Sequence, residues 1–519
     1  MSSVVPDASG SASEEPSWPQ AAYTAELKAA CRSLGADESD LQHLLAPLQE
    51  AQVPLQQLYG LLKQSWSRLK VLRESQADLA EFASEHPETV RLVELGFEAL
   101  QRGEAFSLEQ SDRLFERACE LSHTREVAAR VQSLQAEIAA IQLDYHRAAE
   151  LSLQAALTPG LDAALQWRYQ FQRALALEEQ GLGFMDEAAL EETVGLYETR
   201  VLALASREQR PDEWAATQHH LGDALGALGQ RQRGTRLLER AIEAFENALS
   251  VESGERDPAD WAATYNSLGN TLGILAQRHA DTEMLERSVS AFESALEVRT
   301  RECEPQDWAV TQNNYAAALL TLGQRKQDKT ILKRASDAYK KVLQVWTRER
   351  GPLDWAATMD NLGTALRLLG EHRKGPRTLE QSVAAYRSAL SERTRDRVPR
   401  EWAMTQNNLG AALHRLGMRA EDPQHLESAI DAYENALKEL TRERGWLAWA
   451  MTRANLAAAR KALAELSGEI DLVRAALSDL QAVAGVFRDA SHAQYYELVT
   501  EQIALLRKLE QRIQHAERA

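Results

Sequence analysis

The sequence lacks the features that mark several large classes of protein. No apolar run approaches the ~20 residues that a membrane-spanning helix needs. Only three cysteines occur among 519 residues, at Cys31, Cys119 and Cys303, and their spacing matches neither a zinc site nor a disulfide framework. The N-terminal residues have no basic stretch followed by an apolar one, as a secretory signal would have. We therefore expect a soluble, cytoplasmic protein.

Motifs for catalysis and for phosphate binding are also missing. The sequence contains no glycine-rich phosphate loop, no HExxH motif and no serine in a nucleophile elbow. Its one histidine pair, His219-His220, offers a poor metal site because adjacent residues on a helix point to different faces. The net charge of -18 argues against nucleic acid as the main partner, since phosphate binding needs a basic surface. The sequence predicts a protein that is not an enzyme and holds no cofactor and no metal.

What the sequence does contain is a tryptophan every 47 residues. Seven tryptophans keep this spacing: Trp167, Trp214, Trp261, Trp308, Trp355, Trp402 and Trp449. A fixed period of roughly 20 to 50 residues indicates a repeat array rather than one compact core. In such an array each repeat packs on its neighbours, and function is carried by a long surface rather than by a single pocket.

The residues around Trp261 illustrate one repeat. Pro258 predicts the start of a helix, because proline loses no hydrogen bond at the first helical position, and Asp260 suits the positive end of the helix dipole. Apolar residues follow at helical spacing, and Gly269 predicts the close approach of a second helix. That second helix is expected from about Leu285, after a polar connection of about ten residues.

Three short motifs recur at this period. In the repeat at Trp261 they are Leu268-Gly269 in the first helix, Phe292 and Ala295 in the second, and Pro305 at the start of the next repeat. The pattern resembles the tetratricopeptide repeat in a long variant found in bacterial proteins. The family's usual period is about 34 residues, so about seven residues are added between the helices and about six after the second. The resemblance implies an all-α fold, an α-solenoid of antiparallel helix pairs that form a right-handed superhelix with a concave groove.

The same pattern predicts how the chain is divided. Residues 1–20 are expected to be a disordered tail, and residues 21–84 a helical cap or docking region without a repeat signature. Residues 85–160 carry degenerate repeats, and residues 161–490 the regular array. Residues 491–519 are expected to form a capping amphipathic helix with Leu498, Leu505 and Leu509 on its apolar side.

Polar residues on the first helix of each repeat are the candidate binding residues. In the tetratricopeptide family, the helix side opposite the tryptophan lines the groove. Repeated asparagine there suggests a function, because asparagine is a mediocre helix former and its amide can bond to the backbone of an extended peptide. Counted from each tryptophan, the candidates are Asn266, Asn313 and Asn407 at position five, Asn314, Asn361 and Asn408 at position six, and Asn270 at position nine. Alternatively, the asparagines tie one repeat to the next.

Position twelve becomes basic along the array. The late repeats carry Arg367, His414 and Lys461 there, and Arg415 flanks it at position thirteen. An acidic segment or a free carboxylate of a bound peptide would lie toward these repeats, with solvated charge at the end of the array as the alternative. The family's carboxylate clamp uses a lysine at position five. This chain has none there, so chaperone-tail binding is not expected.

An arginine ladder follows the second helix of several repeats. Its members are Arg301, Arg348, Arg395 and Arg442. They are expected to pair with the acids that open the next helix or, alternatively, to form an edge that binds an acidic partner. Trp346 and Trp446 lie outside the period and are expected to pack in the core, with an exposed aromatic contact as the alternative.

These features together predict a scaffold or adaptor that binds a protein or peptide segment in the groove. Specificity for the bound segment would come from side chains at equivalent positions on the first helices of successive repeats. The alternative is a regulatory or sensor subunit that controls a separate enzyme, such as a protease or a defence effector, through residues 1–84. The acidic stretch from Ser11 to Glu15 could also reach a basic groove and block it.

Overall fold

The computed structural model describes residues 87–102, 107–489 and 493–518, together with individual positions between 61 and 72. Within these residues every regular element is helical, which confirms the all-α prediction. The predicted tail and most of the predicted N-terminal cap lie outside the described residues. None of the described helices combines the length and the apolar composition that a membrane span requires.

The helices follow one another with short connections. In chain order they are α1 (Pro87–Arg102), α2 (Ser107–Leu121), α3 (Arg125–Ile141), α4 (Tyr145–Ala156), α5 (Ala163–Gly183), α6 (Glu187–Leu196), α7 (Pro211–Arg231), α8 (Arg236–Leu249), α9 (Pro258–His279), α10 (Thr282–Val298), α11 (Pro305–Lys326), α12 (Lys329–Val342), α13 (Pro352–Glu371), α14 (Arg377–Leu390), α15 (Pro399–Ala420), α16 (Pro423–Ala436), α17 (Arg442–Ser467), α18 (Ile470–Asp489) and α19 (Ala493–Arg518). Helix α6 continues as a π-helical segment, Tyr197–Val201, and a last turn, Leu202–Leu204.

The described chain divides into two compact units. The first unit extends to Asn314 and also includes Glu349–Gly351. The second unit comprises Tyr315–Arg348 and the residues from Pro352 onward. Within each unit, consecutive helices form pairs whose aromatic and leucine side chains make the core, for example Phe245 in the first unit and Tyr386 in the second. This arrangement confirms the predicted α-solenoid of helix pairs.

The first helices of the regular repeats begin at proline, as predicted. Helices α7, α9, α11, α13 and α15 all start at this residue. Helix α9 extends to His279, however, and only Ala280 and Asp281 separate it from α10, so the predicted ten-residue connection is wrong. Ala280 has a left-handed φ of 54°, and the Asp281 carboxylate caps α10 by accepting from the backbone N–H of Glu283. The polar residues that were expected to connect the helices therefore lengthen the first helix.

Glycine sets the distance between the two helices of a repeat. A Cβ on Gly269 would lie 2.8 Å from the Phe292 ring, and one on Gly410 would lie 2.8 Å from the Tyr433 ring. The equivalent pairs are Gly222 with Phe245 and Gly363 with Tyr386. This confirms the predicted close approach, because any side chain at these positions would overlap the aromatic ring.

The tryptophans that define the period are half-buried rather than central to the core. Arg348 lies over the Trp355 ring at 5.8 Å, and Arg453 lies over the Trp449 ring at 5.1 Å. Trp446, outside the period, packs edge-on against Phe487 with ring centroids 6.2 Å apart, as its predicted core role requires.

The C-terminal helix α19 packs on α17 and α18 through a face that differs from the predicted one. Val499, Leu506 and Leu509 are buried in a shared core, whereas Leu498 and Leu505 are exposed. The prediction was right for Leu509 and wrong for the other two leucines. The apolar stripe also includes Val499 and the partly buried Ile503 and Ile513, so leucine spacing alone did not reveal it.

Candidate functional site

The candidate surface is the side of each first helix that faces away from the core stripe. At 100° per residue, positions two, five, nine, twelve, thirteen and sixteen after the tryptophan fall within about 100° of one another. On α15 these positions hold Met404, Asn407, Ala411, His414, Arg415 and Met418. Met404 and Met418 are 44% and 50% exposed, and Arg415 is exposed between them. We call this side of α15 the methionine face.

The asparagines at positions five and six bond to one another between repeats. Asn314 Nδ2 donates to Asn266 Oδ1 at 3.2 Å, and Asn455 Nδ2 donates to Asn407 Oδ1 at 3.5 Å. We call this series the amide ladder. Such bonds correspond to the alternative in which asparagine ties one repeat to the next. The remaining candidates, Asn270, Asn313 and Asn361, are half-buried on their helices.

One rung of the amide ladder carries a carboxylate in place of an amide. Asp360 is buried, accepts a hydrogen bond from Asn408 Nδ2 at 3.2 Å, and lies 3.9 Å from Arg393. Burial raises the pKa of Asp360, and the Arg393 charge and the hydrogen bonds from Thr405 and Asn408 oppose this only in part. A buried ionisable carboxyl therefore stands where Asn266, Asn313 and Asn407 place a neutral amide.

The predicted basic residues near the methionine face are largely neutralised. Arg367 Nη1 donates to Glu371 at 2.7 Å, and Arg415 Nε lies 3.4 Å from the same oxygen. Burial, with a smaller contribution from the charge of the neighbouring Arg415, lowers the pKa of His414 to about 4, so this imidazole is neutral at pH 7. Of these three residues, Arg415 has the most exposed charge.

Lys461 lies in a separate cleft between α17 and α19. The cleft has a volume of about 430 Å³ and is lined by Lys461, Glu465, Leu505, Lys508, Gln511, Arg512 and His515. Lys461 Nζ lies 3.9 Å from Glu465, which balances part of its charge. The sequence pattern placed Lys461 with the other basic positions, but its surroundings are set by the C-terminal helix.

Two members of the arginine ladder, Arg348 and Arg395, form ion pairs with acids other than those predicted, whereas Arg301 lies 3.7 Å from the adjacent Glu302. Arg348 Nε binds Glu392 at 2.5 Å, and Arg395 Nε binds Glu439 at 2.6 Å. Each glutamate follows the second helix of the next repeat, whereas the prediction named the acids that open its first helix. Arg397 approaches Glu392 as well, at 3.1 Å. These arginines therefore stabilise the join between repeats.

A threonine ladder, which the sequence analysis missed, also joins the repeats. Its members stand three residues after a tryptophan and are buried: Thr217, Thr264, Thr311, Thr358, Thr405 and Thr452. Side chains of the preceding repeat donate to these hydroxyls, from Trp167 Nε1 at 3.1 Å, Arg299 Nη1 at 3.1 Å and Arg393 Nη1 at 3.0 Å. The 47-residue spacing of threonine was as regular as that of tryptophan and could have revealed this ladder.

A further arginine caps the first helix of the preceding repeat. Arg278 donates to the carbonyl oxygen of Gly229 at 2.7 Å, and Arg419 donates to that of Gly370 at 2.7 Å. These carbonyls lie in the last turn of a helix, where they have no partner within the helix. The arginine therefore adds a charged donor at the end of the helix, where the Gly370 carbonyl oxygen also accepts from the backbone N–H of Arg373 at 3.1 Å.

A buried polar cluster lies at the start of the regular array. Glu178 is 3% exposed, accepts from the Tyr197 hydroxyl at 2.7 Å, and lies 3.2 Å from His220 Nδ1. Although burial lowers the pKa of His220, the carboxylates of Glu178, Asp223 and Glu179 together outweigh it and raise that pKa to about 9. Asp223 lies 3.3 Å from His219 Nε2. Within the part of the chain that the structure describes, Glu178, His220 and Asp223 form the one such group of three potential metal ligands.

Comparison with known proteins supports the repeat assignment. Residues 214–256 match the model of the tetratricopeptide repeat family, which confirms the predicted resemblance for that segment of the chain. No curated protein matches the chain.

Several solved structures are similar at low identity. The C-terminal part of a repeat-containing protein from Cytophaga hutchinsonii is 12% identical, with a TM-score of 0.36, over 59% of this chain and 95% of that one. A signal transduction ATPase with a tetratricopeptide repeat sensor from Pyrococcus horikoshii is 13% identical, with a TM-score of 0.36, over 86% and 65%. A Rap protein complexed with Competence and Sporulation Factor is 11% identical, with a TM-score of 0.34, over 74% and 99%.

Proposed function

We propose that this protein is a scaffold or adaptor, and that the methionine face of α15 binds a segment of another protein. The observation that carries the proposal is the exposure of Met404, Arg415 and Met418 on one side of a single helix. Methionine adapts its shape to different apolar partners, and Met404 and Met418 lie 14 residues apart, about 21 Å along the helix, so each would contact a separate apolar residue of an extended segment. A helical repeat array is a common support for such a surface.

The bound segment would combine apolar side chains with a carboxylate. Met404 and Met418 would contact the apolar residues, and the Arg415 guanidinium would bind the acid. The Arg415 side chain is 60% exposed and lies 3.4 Å from Glu371, so water and salt screen that pair and a partner's carboxylate can replace it. Arg367 is less exposed and bonds to Glu371 at 2.7 Å, and it would hold Glu371 in place when Arg415 turns to the ligand.

The ladders between repeats would contribute to affinity indirectly. The amide ladder reaches α15 through Asn407 and Asn408, and Thr405 is bonded to Arg393 of the preceding repeat. These bonds hold the helix in position before a ligand arrives. Binding would then require less ordering of the protein, which favours affinity.

The alternative of a regulatory subunit acting through residues 1–84 gains no support from the described part of that segment. Leu62 and Trp66 are buried, and Arg68 forms ion pairs of 2.7 Å with Glu137 and 2.5 Å with Glu179. These three side chains contact other residues of the same chain, so they are not available on the surface to bind another protein.

A peptide selection tests the proposed binding surface. A random peptide phage library would be selected on the full chain, and the enriched peptides would be measured against Met404→Glu/Met418→Glu and against Arg415→Glu. We expect peptides with spaced apolar residues and at least one acid, and at least a tenfold loss of affinity in both variants, about 1.4 kcal/mol or more. Leu498→Glu, at a residue 40% exposed on α19, is the matched control and should bind normally. Equal binding by all the variants would refute the proposal.

A further inference from the structure

The polar cluster at the start of the regular array has the donor atoms of a metal site. One oxygen of Glu178, one ring nitrogen of His220 and one oxygen of Asp223 lie within 4.8 Å of one another. Glu178 comes from α5, whereas His220 and Asp223 are one turn apart on α7. Because residues three apart share a helix face, both α7 side chains can point toward Glu178. Two carboxylates and one imidazole are a ligand set that divalent transition metals accept.

Neighbouring side chains hold these donors in place. The Tyr197 hydroxyl donates to Glu178 at 2.7 Å, and the π-helical segment that begins at Tyr197 follows directly on α6. His219 Nε2 lies 3.3 Å from Asp223, and the other ring nitrogen of His219 lies 2.8 Å from Thr264 Oγ1. Metal ligands in proteins are oriented by outer hydrogen bonds of this kind. The cluster is therefore more ordered than a chance group of surface acids.

The surroundings combine an apolar wall with access to solvent. The His220 ring packs edge-on against Phe171, with centroids 5.2 Å apart, and stacks on Tyr197 at 6.4 Å. Glu178 is almost fully buried, but the side chains of His220 and Asp223 are 28% and 30% exposed. An ion could thus enter from the solvent side and keep water in its remaining coordination positions.

We propose that Glu178, His220 and Asp223 bind one divalent transition-metal ion, for which Zn²⁺ is the probe. The ion would cross-link α5 to α7 and fix the first regular repeat against the helices before it. Its role would be structural and independent of the methionine face. Mg²⁺ prefers oxygen ligands in octahedral geometry and should bind much more weakly than Zn²⁺ at a site that contains imidazole.

Titration calorimetry on the chelator-treated full chain tests the site directly. We expect one Zn²⁺ per chain at this site and a higher unfolding temperature when Zn²⁺ is present. His220→Gln and Asp223→Asn should each reduce affinity at least tenfold, and Tyr197→Phe should weaken binding while leaving all three donors in place. The absorption spectrum of the Co²⁺ form should contain no thiolate charge-transfer band, because the ligands are nitrogen and oxygen.

A second histidine–aspartate pair provides the matched control. His425 Nδ1 lies 2.5 Å from Asp422, but no third ligand joins them within the described residues. His425→Gln should therefore leave Zn²⁺ binding unchanged. If His220→Gln fails to fold, Asp223→Asn decides the question, since Asp223 is partly exposed. Zn²⁺ affinity unchanged in Asp223→Asn and Tyr197→Phe, or Mg²⁺ binding as tight as that of Zn²⁺, would overturn the proposal.

Discussion

The side-chain amide of Asn408 donates a hydrogen bond to the carboxylate of Asp360, 3.2 Å away in the preceding repeat. The other rungs of the amide ladder that the structure describes each join two asparagines. The rung at Asp360 is therefore the one described rung that contains an ionisable side chain. Because burial raises the pKa of Asp360, the folded protein holds this proton more tightly than the unfolded chain does. The contribution of Asp360 to stability is therefore greatest below its unfolded pKa and is lost as the pH rises through its folded pKa.

Asp360→Asn should remove this pH dependence and stabilise the protein at pH 7. We expect the free energy of unfolding at pH 7 to rise by about 1 kcal/mol, because the hydrogen bond is kept while the buried charge is removed. The gain should shrink as the pH falls toward 4. Urea unfolding at the two pH values measures both effects. Asn407→Asp, the reverse change on another rung, should destabilise at pH 7. If Asp360→Asn is instead less stable than the unchanged protein, the half-buried guanidinium of Arg393 needs the Asp360 carboxylate as its counter-ion.

Glu252→Gln should stabilise the protein mainly above pH 7. Glu252 stands where other repeats carry Arg299 and Arg393. Burial, with smaller contributions from the charges of Asp260 and Asp257, raises its pKa to about 7. The carboxyl is neutral in the folded protein at low pH, so stability is lost as the pH rises through 7. Thermal unfolding should show a gain for the variant at pH 8 and little change at pH 5. Glu255→Gln, at an exposed residue, is the control. Equal gains at both pH values would contradict the burial argument.

Gly410→Ala should destabilise the second compact unit. The added Cβ would lie 2.8 Å from the Tyr433 ring, and the resulting overlap should cost about 1–3 kcal/mol, more than the helix propensity gained. Gly226→Ala is the matched control, because its nearest neighbour, Thr271 Oγ1, lies 3.5 Å away. That variant should be stabilised by up to about 1 kcal/mol. Chemical denaturation of the two variants distinguishes packing from propensity, and loss of stability in both would contradict the prediction.

Arg419→Ala should weaken the join between two neighbouring repeats. Arg419 donates to the carbonyl oxygens of Gly370 at 2.7 Å and Gly375 at 3.4 Å, and its loss leaves the end of α13 without these donors. We expect a loss of about 1–3 kcal/mol in the free energy of unfolding. Arg387→Ala, at an exposed arginine on α14, should change it by less than about 0.5 kcal/mol. Amide hydrogen exchange near Gly370 would show whether the effect is local. Equal exchange in both variants would contradict the capping role.

Much of the fold could be predicted because its determinants recur at one spacing. Pro258 and its equivalents start helices, and Gly269 meets an aromatic ring, as the period predicts. The connection after α9 was wrong because polarity was taken as the mark of a loop. The polar residues before Ala280 instead lie on a helix that continues, and the left-handed backbone of Ala280 ends it.

The candidate site was less predictable, because periodicity locates a face but not its partners. That Arg415 shares Glu371 with Arg367 depends on the distance between neighbouring repeats, which one repeat does not reveal. The polar cluster of Glu178, His220 and Asp223 was still harder to predict from the sequence. Glu178 lies 42 residues from His220 in a repeat that keeps the motif poorly, so no alignment of repeats brings the two together.

The bonds between repeats have a consequence for how the length of this chain can change in evolution. Asn314 reaches back 48 residues to Asn266, and Arg278 reaches back 49 to Gly229, each to a group that recurs in the neighbouring repeat. Gain or loss of one whole 47-residue period leaves each donor opposite an acceptor of the same kind. A change of another length within a helix shifts the donors of that helix away from their acceptors, whereas a change within a connection leaves the helices themselves unaltered. Within its regular array, the chain can therefore gain or lose whole helices without disturbing these bonds only in complete repeats.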